Sequence, residues 1–417
     1  MTSTRPAPNP WWVALVAGLA SYLDACAIVS SGAALAIYQQ ALGFTDLQVG
    51  MASGTLTICI AFGALFGGGL GDRFGRKSVF SVTMIIIIVG VAFQVFAPDF
   101  TLLLIGMGLV GLGTGADLPV SLATIAEAGT DENRGKLIGF SNILWIVGIL
   151  GAVVCQSFVG NMGQIGAQIL FAQVGIVALI TLILRLPIPE SDIWLKSNEE
   201  RKSGQQTART ENASLRVLLT PKYAKPFIGL TVFYALVNVP ANTGGQFTTW
   251  INLNIIGLDP AFTAQVSLIM MPIGFIWMAW FMRIVDTKHR MLYFYIGAAL
   301  YAGSYLIYVV FGFHLWTWIA VSIVNGIGGA FAFEGIMKVW TQESFPTLIR
   351  TTAQGTIIFV ARLVAAGAAA FTPILVRMSP QGAYLTLFGI AAVGYAFAIW
   401  AFHGKQHSEF EVEQVDS

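Results

Sequence analysis

Apolar runs of about 20 residues or more follow one another from Trp11 to Phe402, and they leave the chain few folds to choose from. In lipid every backbone N–H and C=O must be satisfied within the protein, which leaves only helices and closed barrels. Barrel strands alternate polar and apolar residues, whereas these runs are continuously apolar. The fold class is therefore an all-α membrane protein. Composition agrees: the 417 residues are 10% charged, against about 25% in a typical soluble chain.

Twelve transmembrane helices are predicted. They run Trp11–Gln39, Val49–Leu70, Val79–Ala97, Leu102–Ala126, Leu137–Val159, Ala167–Leu186, Phe227–Ile255, Phe262–Arg283, Leu292–Phe313, Trp316–Thr341, Thr352–Val376 and Ala383–Phe402. One long polar stretch interrupts them. The expected organisation is a six-helix half over residues 1–186, a linker with short surface helices over 187–225, and a second half with a short tail over 226–417.

Lysine and arginine set the orientation, since cytoplasmic loops carry their excess. With the N-terminus inside, only Arg377 falls in an outer loop, and only Lys338 and Arg362 fall within spans. The other 19 of the 22, Arg185 among them, lie in inner segments. Both termini are thus expected in the cytoplasm, in a multi-pass plasma (inner) membrane protein without a cleavable leader. Cys26, Cys59 and Cys155 all fall in apolar runs, which argues against a disulfide framework.

Between spans 2 and 3 lies Gly-Gly-Leu-Gly-Asp-Arg-Phe-Gly-Arg-Lys at 68–77, a glycine-rich charged turn that must sit at a membrane surface. Its glycines, Gly68 and Gly75 among them, would allow close backbone packing. Asp72 to Arg76 is echoed by Asp286 to Arg290 between spans 8 and 9. Glu127 and Arg134 after span 4 are echoed at equal spacing by Glu343 and Arg350 after span 10. Parallel halves related by an axis along the membrane normal are the expected architecture.

Gly68–Lys77 resembles the signature turn of the major facilitator superfamily. Within that family the chain is similar to sugar porters and metabolite:proton symporters. The matches are Ser-Tyr-Leu-Asp-Ala at 21–25, Glu127 with Arg134-Gly135, Pro-Glu-Ser-Asp-Ile-Trp-Leu at 189–195, and Glu343-Ser-Phe-Pro346 with Arg350. The resemblance implies two six-helix pseudo-symmetric halves. It also implies a cytoplasmic gate in which ion pairs between the halves form and break: Gly68, Asp72, Arg73, Gly75, Arg76, Glu127, Arg134, Asp286, Arg290, Glu343 and Arg350. Three positions depart from the sugar porters. Met107 stands where they carry an arginine, Leu236 and Val237 replace a glutamine pair, and the usual motif after span 12 is absent.

Charges within spans are functional candidates because burying them is costly. Asp24 matches the aspartate that sugar porters use as a proton site. Asp117 follows Gly111, Gly113 and Gly115 and precedes Pro119, so it either caps a broken helix or forms a second proton-coupling site. Glu334 and Lys338 stand one helical turn apart and either neutralise each other or face solute. In the resemblance Lys338 and Arg362 replace aromatic residues that stack on sugar, which points to an anionic group. Asn142 and Asn242 match sugar-binding amides. Asn238, Asn242 and Gln246 share one face of span 7, where Pro240 should loosen the helix. Trp145, Phe331 and Trp340 are either cavity walls or packing residues.

No phosphate-binding loop or zinc spacing occurs. The expected function is proton-coupled symport of a small polar solute (a sugar, polyol or acidic sugar derivative) by alternating access. The protein is expected to be no enzyme and to use no cofactor or metal. Its partners are the solute, protons and the bilayer, with no nucleic acid, and a monomer is expected. The alternatives are an organic-acid or aromatic-acid:proton symporter, drug or metabolite efflux, and a non-transporting receptor.

Overall fold

A computed structural model describes residues 9–129, 133–190, 194–195, 215–285, 287–345 and 347–403. Among them are twelve helical segments long and apolar enough to cross a membrane, and no strand. They are α1 (Pro10–Leu42), α2 (Asp46–Phe74), α3 (Arg76–Val95), α4 (Phe100–Ala128), α5 (Arg134–Val159), α6 (Gln164–Arg185), α7 (Pro221–Ile251), α8 (Pro260–Ile284), α9 (Arg290–Phe311), α10 (Leu315–Ala332) continued by α11 (Glu334–Ser344), α12 (Thr347–Met378) and α13 (Pro380–Phe402). Most of the predicted linker lies outside the described residues; a single helical turn, Leu215–Leu218, precedes α7.

Local chemistry sets the helix starts. Asn9 accepts from the Trp11 amide before Pro10, Thr45 and Gln48 form a capping box, and Asp99 accepts from the Leu102 amide. Residue contacts divide the chain into two compact units, Met1–Gln48 with Thr55–Glu211, and Val49–Gly54 with Asn212–Ser417.

In lipid there is little hydrophobic drive between helices, so small residues and polar contacts hold them together. The glycine run of α4 serves this purpose. A β-carbon on Gly111 or Gly115 would collide with α2 backbone at Leu56 or Ile60, and one on Gly113 with Ile87 of α3. The C-terminal unit packs on rings instead: Trp340 stacks on Phe402 at 4.3 Å and meets Phe294 at 4.8 Å.

Span 10 is not the single run expected. Phe333, at φ −125° and ψ −118°, separates α10 from α11, and its ring stacks between Tyr234 (5.5 Å) and Tyr301 (6.0 Å).

Candidate functional site

Asp24 is the fifteenth of the 33 residues of α1, about 21 Å from the helix start at 1.5 Å per residue. It is 1% exposed. Its Oδ2 accepts a hydrogen bond from Trp145 Nε1 on α5 at 3.3 Å. One turn earlier, the Ser21 and Ser141 hydroxyls lie 2.6 Å apart on the same α1–α5 seam. Glycine makes the seam close: a β-carbon at Gly148 would strike the Tyr22 carbonyl, and one at Gly151 its hydroxyl. Asn142, exposed, precedes Trp145 by one turn. The structure thus joins Asp24 to Trp145 and the two serines along one seam, while Asn142 stands exposed on α5. Met107 is buried and its sulfur takes the Gln94 amide at 3.1 Å.

Asp117 departs from the capping expectation. α4 runs unbroken through Pro119, so no broken end needs a cap. The carboxylate forms an ion pair with Arg185 Nη1 at 2.6 Å, the two residues being 1% and 3% exposed. Thr83 Oγ1 also donates to Asp117 Oδ1 at 3.0 Å, and Ser121 Oγ to Oδ2 at 3.4 Å. The carboxylate is thus engaged by one guanidinium and two hydroxyls, all buried among α3, α4 and α6. Arg185 is correspondingly no loop cation; it ends α6 pointing into the bundle.

At the 68–77 turn, Gly75 has φ +94° and ψ 154° and is both the last stop of α2 and the start of α3. Glu190, beyond the end of α6, lays its carboxylate across the new helix terminus. The Arg76 amide donates to Oε1 at 2.8 Å and the Lys77 amide to Oε2 at 3.2 Å, where the helix dipole favours negative charge. Lys77 Nζ reaches the Leu186 carbonyl at 2.8 Å, and Arg76 Nη2 reaches Glu127 Oε1 at 2.9 Å. Arg73 is exposed, over the Phe74 ring.

Gly68 faces open space among the described residues, so close packing does not require it. A β-carbon at Gly75 would instead meet the Glu190 carboxylate. Gly75→Ala is therefore expected to cost about 1–3 kcal/mol, as a non-glycine residue would in this backbone region. Gly68→Ala should melt like the wild type. Thermal unfolding in detergent reads the difference.

The C-terminal unit carries the matching pair. Arg290 forks onto Glu343, Nη1 to Oε1 at 2.6 Å and Nη2 to Oε2 at 3.0 Å. Glu127 and Glu343, expected as parts of a cytoplasmic latch, each pair with the arginine opening the third helix of their own unit. Those pairs span 51 and 53 residues, and that near-equal offset was visible in the sequence. Both close within one unit rather than between halves. The side chains of Asp72, Arg134 and Arg350, and Asp286 entirely, lie outside the described residues.

On α7 the predicted face is real in one part. Gln246, buried, donates through Nε2 to Asn242 Oδ1 at 2.8 Å, and Asn238 is half-buried one turn earlier. Pro240 does not break α7; the irregularity lies further on, in a π-helical turn at Asn252–Ile256. Lys338 Nζ and Glu334 Oε1 are 2.7 Å apart with side chains 41% and 43% exposed, an i,i+4 pair on one helix face. Arg362 is half-buried on α12. Phe331 and Trp340 are buried packing residues. Among the described residues, no group of three or more His, Cys, Asp or Glu side chains is placed to hold a metal.

The family model "Major Facilitator Superfamily" matches residues 11–373. The chain belongs to the major facilitator superfamily. As a member of that superfamily it is a multi-pass membrane transporter and not an enzyme. It is 30% identical over 377 residues to the minor myo-inositol transporter IolF of Bacillus subtilis (strain 168), covering 87% of this chain and 83% of that one. It is 28% identical to the niacin transporter NiaP of Acinetobacter baylyi (strain ATCC 33305 / BD413 / ADP1), covering 73% of each. The crystal structure of a D-xylose-proton symporter superposes with a TM-score of 0.77 at 17% identity, over 94% of this chain and 97% of that one. That likeness extends the superfamily assignment to the fold.

Proposed function

We propose that this transporter carries a small polyhydroxylated solute, an inositol or a related polyol or sugar, together with a proton across the plasma membrane. The observation that carries the reading is Asp24, a carboxyl buried at mid-span on a seam with two hydroxyls and an indole. A carboxyl can carry one proton, and alternating access would open it to each side of the membrane in turn. Asn142, Asn238, Asn242 and Gln246 supply both donors and acceptors, which suits hydroxyl groups. The inositol transporter relative supports the solute class. The charge count supports cytoplasmic termini, and on that reading the Gly75 turn and the Arg290–Glu343 pair face the cytoplasm.

The niacin transporter relative favours a second reading, an aromatic or organic acid carried by the same coupling. Arg362 would then meet the solute carboxylate. A thermal-shift panel on purified protein separates the two, because a true ligand stabilises by mass action. Myo-inositol, other polyols or sugars should raise the midpoint, and nicotinate should not. A shift by nicotinate alone, lost in Arg362→Gln, would replace the first reading with the second. No shift from any polyol or sugar would remove the first.

A further inference from the structure

Arg185 makes contacts that the Asp24 seam does not use. Its planar fork carries five N–H donors. Nη1 meets Asp117 at 2.6 Å, Nη2 reaches Ser121 Oγ at 3.0 Å and the Ala17 carbonyl at 3.1 Å, and Nε points to the Val16 carbonyl at 3.4 Å. The Phe80 ring lies 4.3 Å beneath the guanidinium, and Thr83 braces Asp117 from α3. One side chain at the last residue of α6 thus touches α1, α3 and α4.

Desolvation offsets much of the attraction in a buried ion pair, so such a pair is weak evidence of added stability; its best attested use is to fix register. The register held here is that of α1. Val16 and Ala17 precede Asp24 by eight and seven residues, about two helical turns. Val13, Ala14, Val16, Ala17, Gly18 and Ala20 are buried without a polar side chain, so no side-chain hydrogen bond of their own fixes this stretch. The two carbonyl contacts restrain both sliding and rotation. Five residues beyond Arg185, Glu190 caps α3, so the same short segment also ties α1 to the 68–77 turn.

We propose that Arg185 is a positioning residue for Asp24: anchored by Asp117, its fork fixes the height and rotation of α1 and so sets the Asp24 carboxylate against Trp145. The proposal rests on the coupling role given to Asp24 above, but its test needs no transport.

Two variants separate register from charge. Arg185→Lys keeps a cation opposite Asp117 but loses the planar fork. The double variant Asp117→Leu with Arg185→Met removes both charges with little change in volume. Purified protein is treated with dicyclohexylcarbodiimide, an apolar carboxyl reagent, and modification of Asp24 is followed by peptide mass spectrometry, with Asp24→Asn as background. Both variants are expected to melt within about 4 °C of the wild type. The Asp24 modification rate should nevertheless change about tenfold, because a displacement of about 1 Å strongly alters the reactivity of a positioned group. A merely structural ion pair would be rescued by Lys, so a folded Arg185→Lys protein that reacts at the wild-type rate overturns the proposal. If Arg185→Lys does not fold, a wild-type rate in the double variant overturns it equally. Uphill accumulation surviving in Asp24→Asn would instead remove the coupling reading and leave the labelling result standing.

Discussion

In proteoliposomes with an inward proton gradient, Asp24→Asn loses accumulation of solute above equilibrium and keeps solute exchange. The substitution is nearly isosteric, and the amide oxygen can still accept the Trp145 indole hydrogen bond, so the α1–α5 seam stays closed. What disappears is the exchangeable proton. Each pH unit across the membrane supplies about 1.4 kcal/mol, roughly tenfold in accumulation, and a variant that cannot carry the proton cannot use it. Exchange does not require the site to deprotonate, so it continues. Radiolabelled myo-inositol measures both modes on one preparation. Accumulation at the wild-type level in Asp24→Asn would exclude this carboxyl from coupling.

The second large effect is on folding. Arg185→Gln alone should lower stability by about 3–5 kcal/mol, because it leaves a buried carboxylate without its cation. Thr83 and Ser121 would remain as donors to Asp117, but two hydroxyls do not replace a guanidinium at 2.6 Å. The thermal midpoint in detergent should fall by about 10 °C. The paired apolar substitution should recover most of it. Glu334→Gln is the contrast: that pair is more than 40% exposed, not buried like Arg185–Asp117, so a much smaller change in melting is expected. Equal midpoints for Arg185→Gln and the wild type would show that the buried pair contributes little.

Much of the architecture was legible because lipid admits so few solutions: twelve apolar runs are enough for the spans. Asp24 was legible for the same reason, as a charge in an apolar run. Arg185 was not. It stands where a run ends, and hydropathy cannot distinguish a cation reaching out to water from one turned inward. Only its partner decides, and Asp117 is 68 residues away. Glu190 was hidden similarly, since the amides it caps lie 113 and 114 residues earlier. The break at Phe333 carries no proline and no positive φ; ring stacking against Tyr234 and Tyr301 accompanies it, and local propensity does not report such packing. Pro119 and Pro240 advertised irregularities that the helices absorbed.

The two Arg–Glu pairs are equivalent in position and unequal in support. Arg76 shares its helix end with the Glu190 carboxylate on two amides and a lysine tied to a carbonyl, a largely backbone-anchored web. Arg290 and Glu343 rely on side-chain forks about a quarter exposed, with the Val285 carbonyl beside them. Dissolved ions weaken the second arrangement more than the first. Raising ionic strength should therefore loosen the α9–α11 edge while the α3–α4 edge holds, giving the two pseudo-symmetric units different sensitivities to salt.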